Sequence, residues 1–386
     1  MTPRKLRASL PLLVVAVACA RAVPPGVGEQ PLALVGVHVL AMEGDRILPD
    51  QTVVVRDGRI EALGPRGAVD VPWNATRVEG QGRYLLPGLV DMHVHVTGER
   101  TLREQLARGV TTVRNMRGDP RHLAWRREIA EHERLGPRLI TAGPPLAGEG
   151  ETAPGVQVVP SAAAARAAVD DQAAAGFDFV KVYEGLSSDA YGAIIEEAAA
   201  QGLPVAGHVS AAVGIYAALA AGQASIEHAE ELTQGAAGGE SEMIRSLVEH
   251  ARRSPSWICP TLTLHALFSP AEDHAFRMRL VAALERAGVG VLAGSDGASI
   301  SVAQEVRSLA QAGLSPYRAL LAATGDAARF LGRSDEFGTI AVGLEADLLL
   351  VDANPLEDLR TLEAPAGLAV RGEWLDAGRL RRLARR

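Results

Sequence analysis

The sequence predicts an α/β fold, a (β/α)8 TIM barrel joined to a small β-sandwich domain built from both chain ends. Eight apolar stretches with strand character alternate with Ala-rich segments that favour helix, for example residues 161–175 and 188–201. This alternation is typical of a parallel barrel. Short alternating apolar and polar stretches precede and follow the repeat. We therefore assign residues 86–336 to the barrel and residues 32–85 and 337–376 to the sandwich.

The composition fits a large packed core and argues against a nucleic-acid-binding protein. Hydrophobic residues make up 47% of the 386 residues and charged residues 22%, which suffices for one barrel and an accessory domain. The net charge is −7, aromatic residues are 4%, and Lys and Arg form no dense run. Neither a basic patch nor a stacking platform is therefore predicted. We expect a small-molecule or peptide substrate and no nucleic-acid partner, and the oligomeric state stays open.

The N-terminal residues 1–22 resemble an export signal. Basic residues precede an apolar stretch that is too short to span a bilayer as a stable anchor. Cys19 ends an Ala-Val-Ala-Cys sequence, which resembles the lipobox of bacterial lipoproteins. Two outcomes stay open, namely membrane anchoring through a lipidated Cys19, or secretion with Cys19 removed. Both predict an exported protein of the periplasm or cell envelope, with residues 23–31 as a tether. Because Cys259 is the other cysteine of the sequence, the mature chain can form no internal disulfide.

The predicted sandwich strands come from two separate parts of the chain. In the first part, Asp57-Gly58 between two alternating stretches is a strong hairpin signal. This part has too few strands to bury both faces, so its complement is expected from the C-terminal part. The predicted strands are residues 34–40, 52–56, 59–63, 77–85, 338–342, 347–352 and 369–374.

Side chains that can bind metal stand near the ends of the predicted barrel strands. His93 and His95 are two residues apart on the first strand, so they share one face. The carboxyl ends of the strands form the active-site face of such barrels, and the whole set is therefore expected at one mouth. The strands are predicted to end at residues 95, 116, 142, 183, 209, 230, 262 and 296, and the candidate ligands are His93, His95, Lys181, His208, His228 and Asp296.

Lys181 is the unusual member of this set, because it lies inside the apolar stretch Phe-Val-Lys-Val-Tyr. Burial and nearby cations would lower the pKa of its ammonium group. A neutral amine can add carbon dioxide and become a carbamate, whose two oxygens can bridge two cations. The sequence therefore predicts a carbamate on Lys181 that acts as a metal ligand.

Six motifs stand out along the chain: Pro-Gly-Leu-Val-Asp-Met-His-Val-His (87–95), Val-Lys-Val-Tyr-Glu-Gly (180–185), Gly-His-Val (207–209), Ser-Ile-Glu-His (225–228), Gly-Ser-Asp (294–296) and Ala-Asp-Leu-Leu-Leu-Val-Asp-Ala-Asn-Pro-Leu (346–356). Together they resemble the metal-dependent amidohydrolase superfamily, in its prolidase-like and imidazolonepropionase-like branch. The resemblance implies two divalent ions. The implied ligands are His93, His95 and Asp296 for the more buried ion, His208 and His228 for the second, and carboxylated Lys181 as the bridge.

The chemistry expected from this resemblance is hydrolysis by a metal-bridged hydroxide. Asp296 is expected to act as the proton shuttle, taking the proton of the hydroxide and passing it to the leaving amine. A His-rich set with one carbamate favours Zn²⁺, while manganese and cobalt stay open. The chain departs from the family pattern at Ser295, which replaces a more frequent Thr, and at Asn115, which follows Arg114 where Asp is common and puts a salt bridge in doubt.

Other polar residues receive weaker assignments. Tyr183 is two residues beyond Lys181 and is a candidate to bind an oxyanion or a substrate carboxylate. His265 and Arg114 are further candidates for substrate contact. Glu227 is predicted to face the helices, since it neighbours His228 on the strand. The histidines predicted to lie on the surface are His122, His132, His250 and His274.

The leading prediction is therefore a metal-dependent enzyme that hydrolyses an amide bond in a peptide or N-acyl amino acid, as a dipeptidase or carboxypeptidase does. A lactonase or cyclic-amide hydrolase is the alternative, because the same hydroxide attacks either bond. A catalytically inactive envelope binding protein is the alternative of another class. The chain has no Gly-x-Ser-x-Gly, no phosphate-binding Gly-x4-Gly-Lys-[Ser/Thr] and no Gly-x-Gly-x-x-Gly.

Overall fold

The computed structural model describes residues 30–233, 239–297 and 299–385 of the chain. The predicted signal, Cys19 and the tether up to residue 29 lie outside the described residues. Within the described ranges, no helix is both long enough and apolar enough to cross a membrane.

The strands are short and occur throughout the chain. They are β1 (Leu32–Leu40), β2 (Ile47–Arg56), β3 (Arg59–Pro65), β4 (Thr76–Glu79), β5 (Tyr84–Pro87), β6 (Leu89–Val94), β7 (Val110–Asn115), β8 (Arg138–Thr141), β9 (Leu146–Ala147), β10 (Gln157–Val158), β11 (Val180–Val182), β12 (Val205–Gly207), β13 (Ser225–Glu227), β14 (Trp257–Cys259), β15 (Leu348–Val351), β16 (Gly367–Val370) and β17 (Glu373–Asp376).

Helices follow most of the strands from β6 onward. They are α1 (Glu99–Ala107), α2 (Pro120–Ala130), α3 (Ala162–Ala175), α4 (Ser188–Ala200), α5 (Ile215–Ala220), α6 (Glu240–Arg253), α7 (Leu262–Phe268), α8 (Ala271–Arg286), α9 (Val302–Ala312), α10 (Pro316–Ala322), α11 (Gly325–Phe330) and α12 (Ala377–Leu383), with 3-10 turns at Glu231–Thr233 and Leu359–Glu363.

Strands from both chain ends share one mixed sheet, in the order β17-β16-β15-β5-β1-β2-β3, with β4 also paired to β1. The two ends meet where β15 runs antiparallel to β5, with Leu350 opposite Leu85. The Asp57-Gly58 hairpin forms as predicted, and both of its residues have positive φ, +49° and +75°, as a two-residue type I′ turn requires. Leucine, valine and isoleucine side chains of this sheet form a separate buried cluster.

Two of the predicted C-terminal strands differ from the structure. Residues 338–342 are not a strand, although the Ile340 amide donates to the Ala41 carbonyl. The predicted strand 369–374 is a hairpin instead, because Arg371 and Gly372 take positive φ values of +48° and +83° and connect β16 to β17. Arg-Gly lacks the usual Asn-Gly or Asp-Gly signal, so the turn was missed.

The strands that carry the candidate ligands form two parallel sheets. One has the order β6-β7-β8, and the other has the order β10-β9-β11-β12-β13-β14. Both are largely buried, since helices alternate with their strands. Their carboxyl ends therefore point in a common direction within each sheet, which positions the residues that follow each strand.

Single backbone contacts connect the two parallel sheets, which do not form one closed ladder. Ala142 and Phe179 form an isolated parallel bridge on one side. On the other side, Val291 bridges Ile258, and the Met92 amide donates to the Ala293 carbonyl at 2.9 Å. The eighth predicted strand, which ends at residue 296, is therefore an extended segment with isolated contacts rather than a regular strand.

The Ala-rich segments form helices because their ends carry clear capping signals. In α3 the Ser161 hydroxyl accepts a hydrogen bond from the Ala164 amide at 3.3 Å, and Gly176 ends the helix with φ +86°. Ala165, Ala168 and Val169 then face the buried side. Small side chains on this face allow the helix to pack closely against the neighbouring strands.

Candidate metal centre

Asp296 lies at the centre of three of the candidate histidines. Its Oδ1 is 3.0 Å from Nε2 of His95 and 3.4 Å from Nε2 of His93, and its Oδ2 is 3.6 Å from Nδ1 of His228. The Asp296 amide donates to the His93 carbonyl at 2.8 Å, and this bond fixes the aspartate beside the first strand. Its φ of +47° turns the chain at this point.

Gly294 permits this close approach of the last predicted strand to the first. A Cβ at this position would lie 2.6 Å from the Cβ of His93 and 2.5 Å from Sγ of Cys259. Contacts this short exclude any side chain at position 294 without movement of its neighbours. The Gly-Ser-Asp motif thus has a steric reason for its glycine.

Glu227 lies inside the site, which corrects the prediction that it faces the helices. Its Oε2 is 2.9 Å from Nδ1 of His93, and the carboxylate is fully buried. His228 has φ +65°, so strand alternation is broken after Glu227, and both side chains reach the centre. Glu227 therefore holds the ring of His93 with Nε2 directed at Asp296.

Arg114 is buried beneath the site and binds protein groups. Its Nη2 donates to Oε1 of Glu227 at 2.7 Å, its Nη1 to the Ser225 hydroxyl at 2.8 Å, and its Nε to the Met92 carbonyl at 2.7 Å. Its side chain is only 1% exposed. It is therefore unsuited to the substrate contact suggested by the sequence, and it stabilises the Glu227 carboxylate instead.

These contacts determine the charge of the two buried partners. Burial lowers the pKa of His93 to about 4, an effect that Asp296 and Glu227 only partly offset. For Glu227, burial alone would raise the pKa, but Arg114 and His93 outweigh it and hold the pKa well below the usual value. At neutral pH His93 is thus neutral and Glu227 ionised, which is the state in which an imidazole can bind a metal.

His208 and Tyr183 form the other side of the site. The His208 ring lies 4.7 Å from the ring of His228 and 4.4 Å from the ring of Tyr183, centroid to centroid. Nδ1 of His208 contacts Glu184 at 3.2 Å and Glu231 at 3.1 Å. Two carboxylates therefore orient this imidazole, and neither was identified from the sequence.

Lys181 is buried among these groups. Its side chain is 1% exposed, and its Nζ has no hydrogen-bond partner among the residues that the structure describes. Burial lowers the pKa of Lys181 to about 8, although the nearby carboxylates of Glu227 and Asp296 act in the opposite direction. A buried amine without a partner is energetically unfavourable, so this nitrogen is suited to chemical modification or to a bound anion.

His265 lies at the edge of the site, on α7. The predicted seventh strand ends at Cys259 rather than at residue 262, and Leu262 is instead the first residue of α7. The His265 ring is 6.0 Å from the ring of His228, and its Nε2 contacts the Glu230 carboxylate. Thr261, with φ +47°, contacts Nδ1 of His228 at 2.9 Å.

Ser295 and Asn115, which depart from the family pattern, both form buried hydrogen bonds. Ser295 donates from its hydroxyl to Oδ2 of Asp91 at 2.6 Å, and its amide donates to Oδ1 at 2.9 Å. Asn115 accepts from the Val96 amide at 2.9 Å and donates to Thr141, so it ties neighbouring strands together without a salt bridge.

The four histidines that were predicted to lie on the surface differ in their exposure. His122 is buried at 1% exposure, which corrects its assignment to the surface. Its Nδ1 accepts from the Asp119 amide at 3.0 Å, and its Nε2 lies 2.8 Å from the Val96 carbonyl, so it caps α2 and packs on the first strand. His250 is exposed, and His132 and His274 are partly buried.

Arg117 is a further residue that the sequence did not single out. It lies two residues beyond the end of β7, beside Tyr183, and its charge lowers the pKa of the Tyr183 hydroxyl, although burial has the larger, opposite effect. Its position in the loop after a parallel strand is the signal that could have identified it.

The donor atoms of the site are close enough to hold metal ions. His93, His228 and Asp296 offer donor atoms within 4.8 Å of one another, and so do Glu184, His208 and Glu231. Imidazole nitrogens with carboxylate oxygens suit zinc and similar divalent ions. The neutral state of His93 fits the same conclusion, and so does the Lys181 amine, for which the described residues provide no hydrogen-bond partner.

Comparison with known proteins identifies the family. Residues 84–375 match the Amidohydrolase family. An uncharacterized protein of Mycobacterium tuberculosis is 31% identical over 375 residues, covering 84% of this chain and 93% of its own length. Adenine deaminase 3 of Rhizobium meliloti is 28% identical over 363 residues, covering 87% of this chain and 58% of its own length.

A solved structure gives the same result for the fold. The crystal structure of a putative prolidase from Bifidobacterium longum superposes with a TM-score of 0.77 at 28% identity, covering 93% of this chain and all of that one. This confirms a mixed α/β fold of the amidohydrolase type and the family assigned from the motifs. The chain belongs to the amidohydrolase family and is a hydrolase by that relationship.

Proposed function

We propose that the protein is a metal-dependent hydrolase that cleaves the amide bond of a small peptide or N-acyl amino acid, as a dipeptidase or carboxypeptidase does. The observation that carries this proposal is the buried amine of Lys181, which lies among the candidate ligands and has no hydrogen-bond partner in the described ranges of the chain. The other proposed ligands are His93, His95, His208, His228 and Asp296.

The proposal includes a carbamate on Lys181. Its pKa of about 8 leaves a useful fraction of neutral amine near pH 7. The amine nitrogen forms a bond to the carbon of carbon dioxide and loses one proton, which yields a carbamate anion. This replaces a buried cation by an anion with two oxygens among imidazoles. The change removes the unfavourable interaction of a cation with two divalent ions at the same place.

Two divalent ions, most readily zinc, would supply a Lewis acid and a nucleophile available at neutral pH. The residues of the chain would orient the metal ligands and transfer the proton. Glu227 fixes the ring of His93, and Glu184 with Glu231 fixes that of His208. Asp296 has a pKa below its usual value, because the nearby histidines and Lys181 outweigh the effect of burial. It is therefore ionised, accepts a proton from the attacking water and returns it to the leaving nitrogen.

Substrate selection would depend on the groups at the edge of the site. Tyr183, Arg117 and His265 are donors near the histidines, and a free substrate carboxylate needs such donors. The neighbouring family member described as a putative prolidase supports a peptide substrate. The relatives described as adenine deaminases favour instead hydrolysis at an amidine carbon, a second candidate for the same site.

We also propose the finer architecture that this chemistry requires. The two parallel sheets and the extended segment before Asp296 would form a single (β/α)8 barrel of residues 86–336, with residues 32–85 and 337–376 as the accessory sandwich. The Ala142–Phe179 and Ile258–Val291 bridges support it. Export, with the mature chain starting at a lipidated Cys19, remains part of the proposal, and secretion without Cys19 is the alternative.

The test is a substrate screen with the purified, metal-replete mature protein. Dipeptides, N-acyl amino acids, lactones, cyclic amides and adenine are compared, and the same compounds are tested on Asp296→Asn, which removes the proposed proton shuttle. We expect the highest kcat/KM for a dipeptide or N-acyl amino acid. This activity should be lost in Asp296→Asn. Faster turnover of lactones or adenine would overturn the substrate assignment. Equal rates in the variant would overturn the mechanism.

A further inference from the structure

Helix α7 begins at the edge of the site without a cap from the residue that precedes it. That residue is Thr261, and a threonine in this position usually accepts a hydrogen bond from an amide of the helix through its side chain. Here Thr261 has φ +47° and ψ +45°, and its hydroxyl forms no such bond. The hydroxyl lies instead 2.9 Å from Nδ1 of His228 and 3.4 Å from Nε2 of His265. The side chain that would cap α7 thus contacts a candidate metal ligand.

Glu305, in the first turn of α9, supplies the missing cap. Its Oε1 accepts from the Leu262 amide and its Oε2 from the Thr263 amide, each at 2.8 Å. A carboxylate is favourable at this place, because the first amides of a helix lack partners and the positive end of the helix dipole lies there. The Thr263 amide is one that a capping side chain normally serves. Glu305 therefore releases Thr261 from this role.

The backbone before α7 runs directly beside the strand end that carries His228. The His228 amide donates to the Cys259 carbonyl at 2.9 Å, and the Ala229 amide donates to the Pro260 carbonyl at 3.0 Å. These bonds place Thr261 next to the His228 ring. They do not determine whether its hydroxyl contacts that ring or the amides of α7, and this choice depends on what else satisfies those amides.

The charge of Glu305 affects how well it can serve two amides. Burial raises the pKa of Glu305 to about 7, although the amides and the Thr263 hydroxyl favour the ionised form. An ionised carboxylate accepts at both oxygens, whereas one oxygen of the protonated acid carries a hydrogen. The cap is therefore strongest well above this pKa, which sets the pH for the measurements below.

We propose that Glu305 is a positioning residue for His228 and acts through Thr261. By satisfying the first amides of α7, Glu305 leaves the Thr261 hydroxyl to the His228 ring. A hydroxyl can donate or accept, so it can fix either tautomer of this ring. Partners that fix the ring of a metal-binding histidine increase the affinity for the metal. The inference rests on the proposed function in one respect, namely that His228 is a metal ligand.

The experiment measures zinc affinity in Glu305→Gln, in Thr261→Val and in the variant with both substitutions. Glutamine has one acceptor oxygen where glutamate has two, so one amide of α7 loses its partner and competes for the Thr261 hydroxyl. Valine keeps the shape of threonine and removes the hydroxyl. Zinc dissociation constants are measured by competition with a chromophoric chelator. We expect each single variant to bind one zinc ion roughly 10–100-fold more weakly, the loss typical for outer partners of metal ligands.

The double variant separates positioning from a general effect on the fold. If Glu305 acts through Thr261, the double variant binds zinc as Thr261→Val does, because both substitutions remove the same interaction. Ser315→Ala is the matched control, since it removes the cap of α10, beyond the opposite end of α9. It should lower the Tm and leave zinc affinity unchanged. Unchanged zinc affinity in Glu305→Gln, or losses that add in the double variant, would overturn the inference.

A second measurement is independent of metal binding. In a crystal structure of metal-free Glu305→Gln, the Thr261 hydroxyl should lie within about 3.2 Å of an amide of α7 and more than about 3.5 Å from Nδ1 of His228. A hydroxyl that keeps its contact with His228 would refute the inference. If the unsubstituted protein binds no metal, the proposed function fails, and the position of this hydroxyl still decides whether Glu305 controls Thr261.

Discussion

Glu227→Gln is expected to weaken both the fold and metal binding. Glu227 is fully buried and carries the negative charge opposite Arg114, 2.7 Å away. Breaking a buried ion pair by removing one partner destabilises a protein by about 3–5 kcal/mol. For a chain of this size that corresponds to a lower Tm by roughly 6–10 °C, at about 2 °C per kcal/mol.

The same substitution should change the tautomer of His93. The new amide nitrogen can donate to Nδ1, 2.9 Å from the present Oε2, which would move the imidazole proton to Nε2 and block metal binding there. We expect a zinc affinity at least roughly 10–100-fold lower. Thermal unfolding is measured with chelator present, so that metal loss does not contribute to the shift in Tm.

Glu196→Gln is the matched control for this experiment. Glu196 pairs with Arg166 at 2.6 Å, but 70% of its side chain is exposed. An exposed pair contributes about 0–1 kcal/mol, so the control should unfold close to the unsubstituted protein. If Glu227→Gln also unfolds there and binds zinc equally well, the role assigned to the buried Arg114–Glu227–His93 chain is wrong.

Three further predictions concern Lys181, Asp296 and Cys19. Lys181→Met should abolish tight binding of the second metal ion and yet raise the Tm of the metal-free protein. Because burial lowers the pKa of Lys181 from 10.5 to about 8 in the folded protein, the gain in Tm should be full below pH 8 and should fade as the pH rises toward 10.5. A gain in Tm that does not depend on pH would contradict this reasoning. Asp296→Asn should keep most of the metal, by elemental analysis, while kcat falls on the order of 10²–10⁴-fold; near-normal turnover would mean that the proton shuttle is elsewhere. Cys19→Ala should release the protein from membranes into the soluble envelope fraction, and an unchanged distribution together with an unchanged mature N-terminus would favour plain secretion.

The sequence located the ends of β6, β7, β8, β11 and β12 to within two residues, because short apolar stretches determine them, whereas the seventh strand ends three residues earlier than predicted and the eighth is not a regular strand. His93, His208 and His228 lie within or just after β6, β12 and β13, as the pattern indicated. The residues that follow parallel strands lie at the same end of the sheet. Residues far apart in sequence could therefore be assigned to one site without a structure. The family followed from the same motifs.

The errors arose where the backbone leaves the regular strand. His228 has φ +65°, so it and Glu227 both face the site, against the alternation on which the sequence reasoning relied. The partners of Arg114 lie on β6 and β13, which only the tertiary structure brings together. His122 seemed a surface residue because its helix is highly charged, yet its ring packs on Val96. No sequence signal identified Glu184 and Glu231, because both lie beyond the regular strands, Glu184 in the turn after β11 and Glu231 in the 3-10 turn that follows β13.

The metal content of the purified protein tests the central claim most directly. The mature protein is stripped with chelator, reconstituted with zinc, freed of excess ion and measured by elemental analysis. The account predicts about two zinc ions per chain, held by the ligands around carboxylated Lys181. One ion or fewer per chain would contradict the binuclear site.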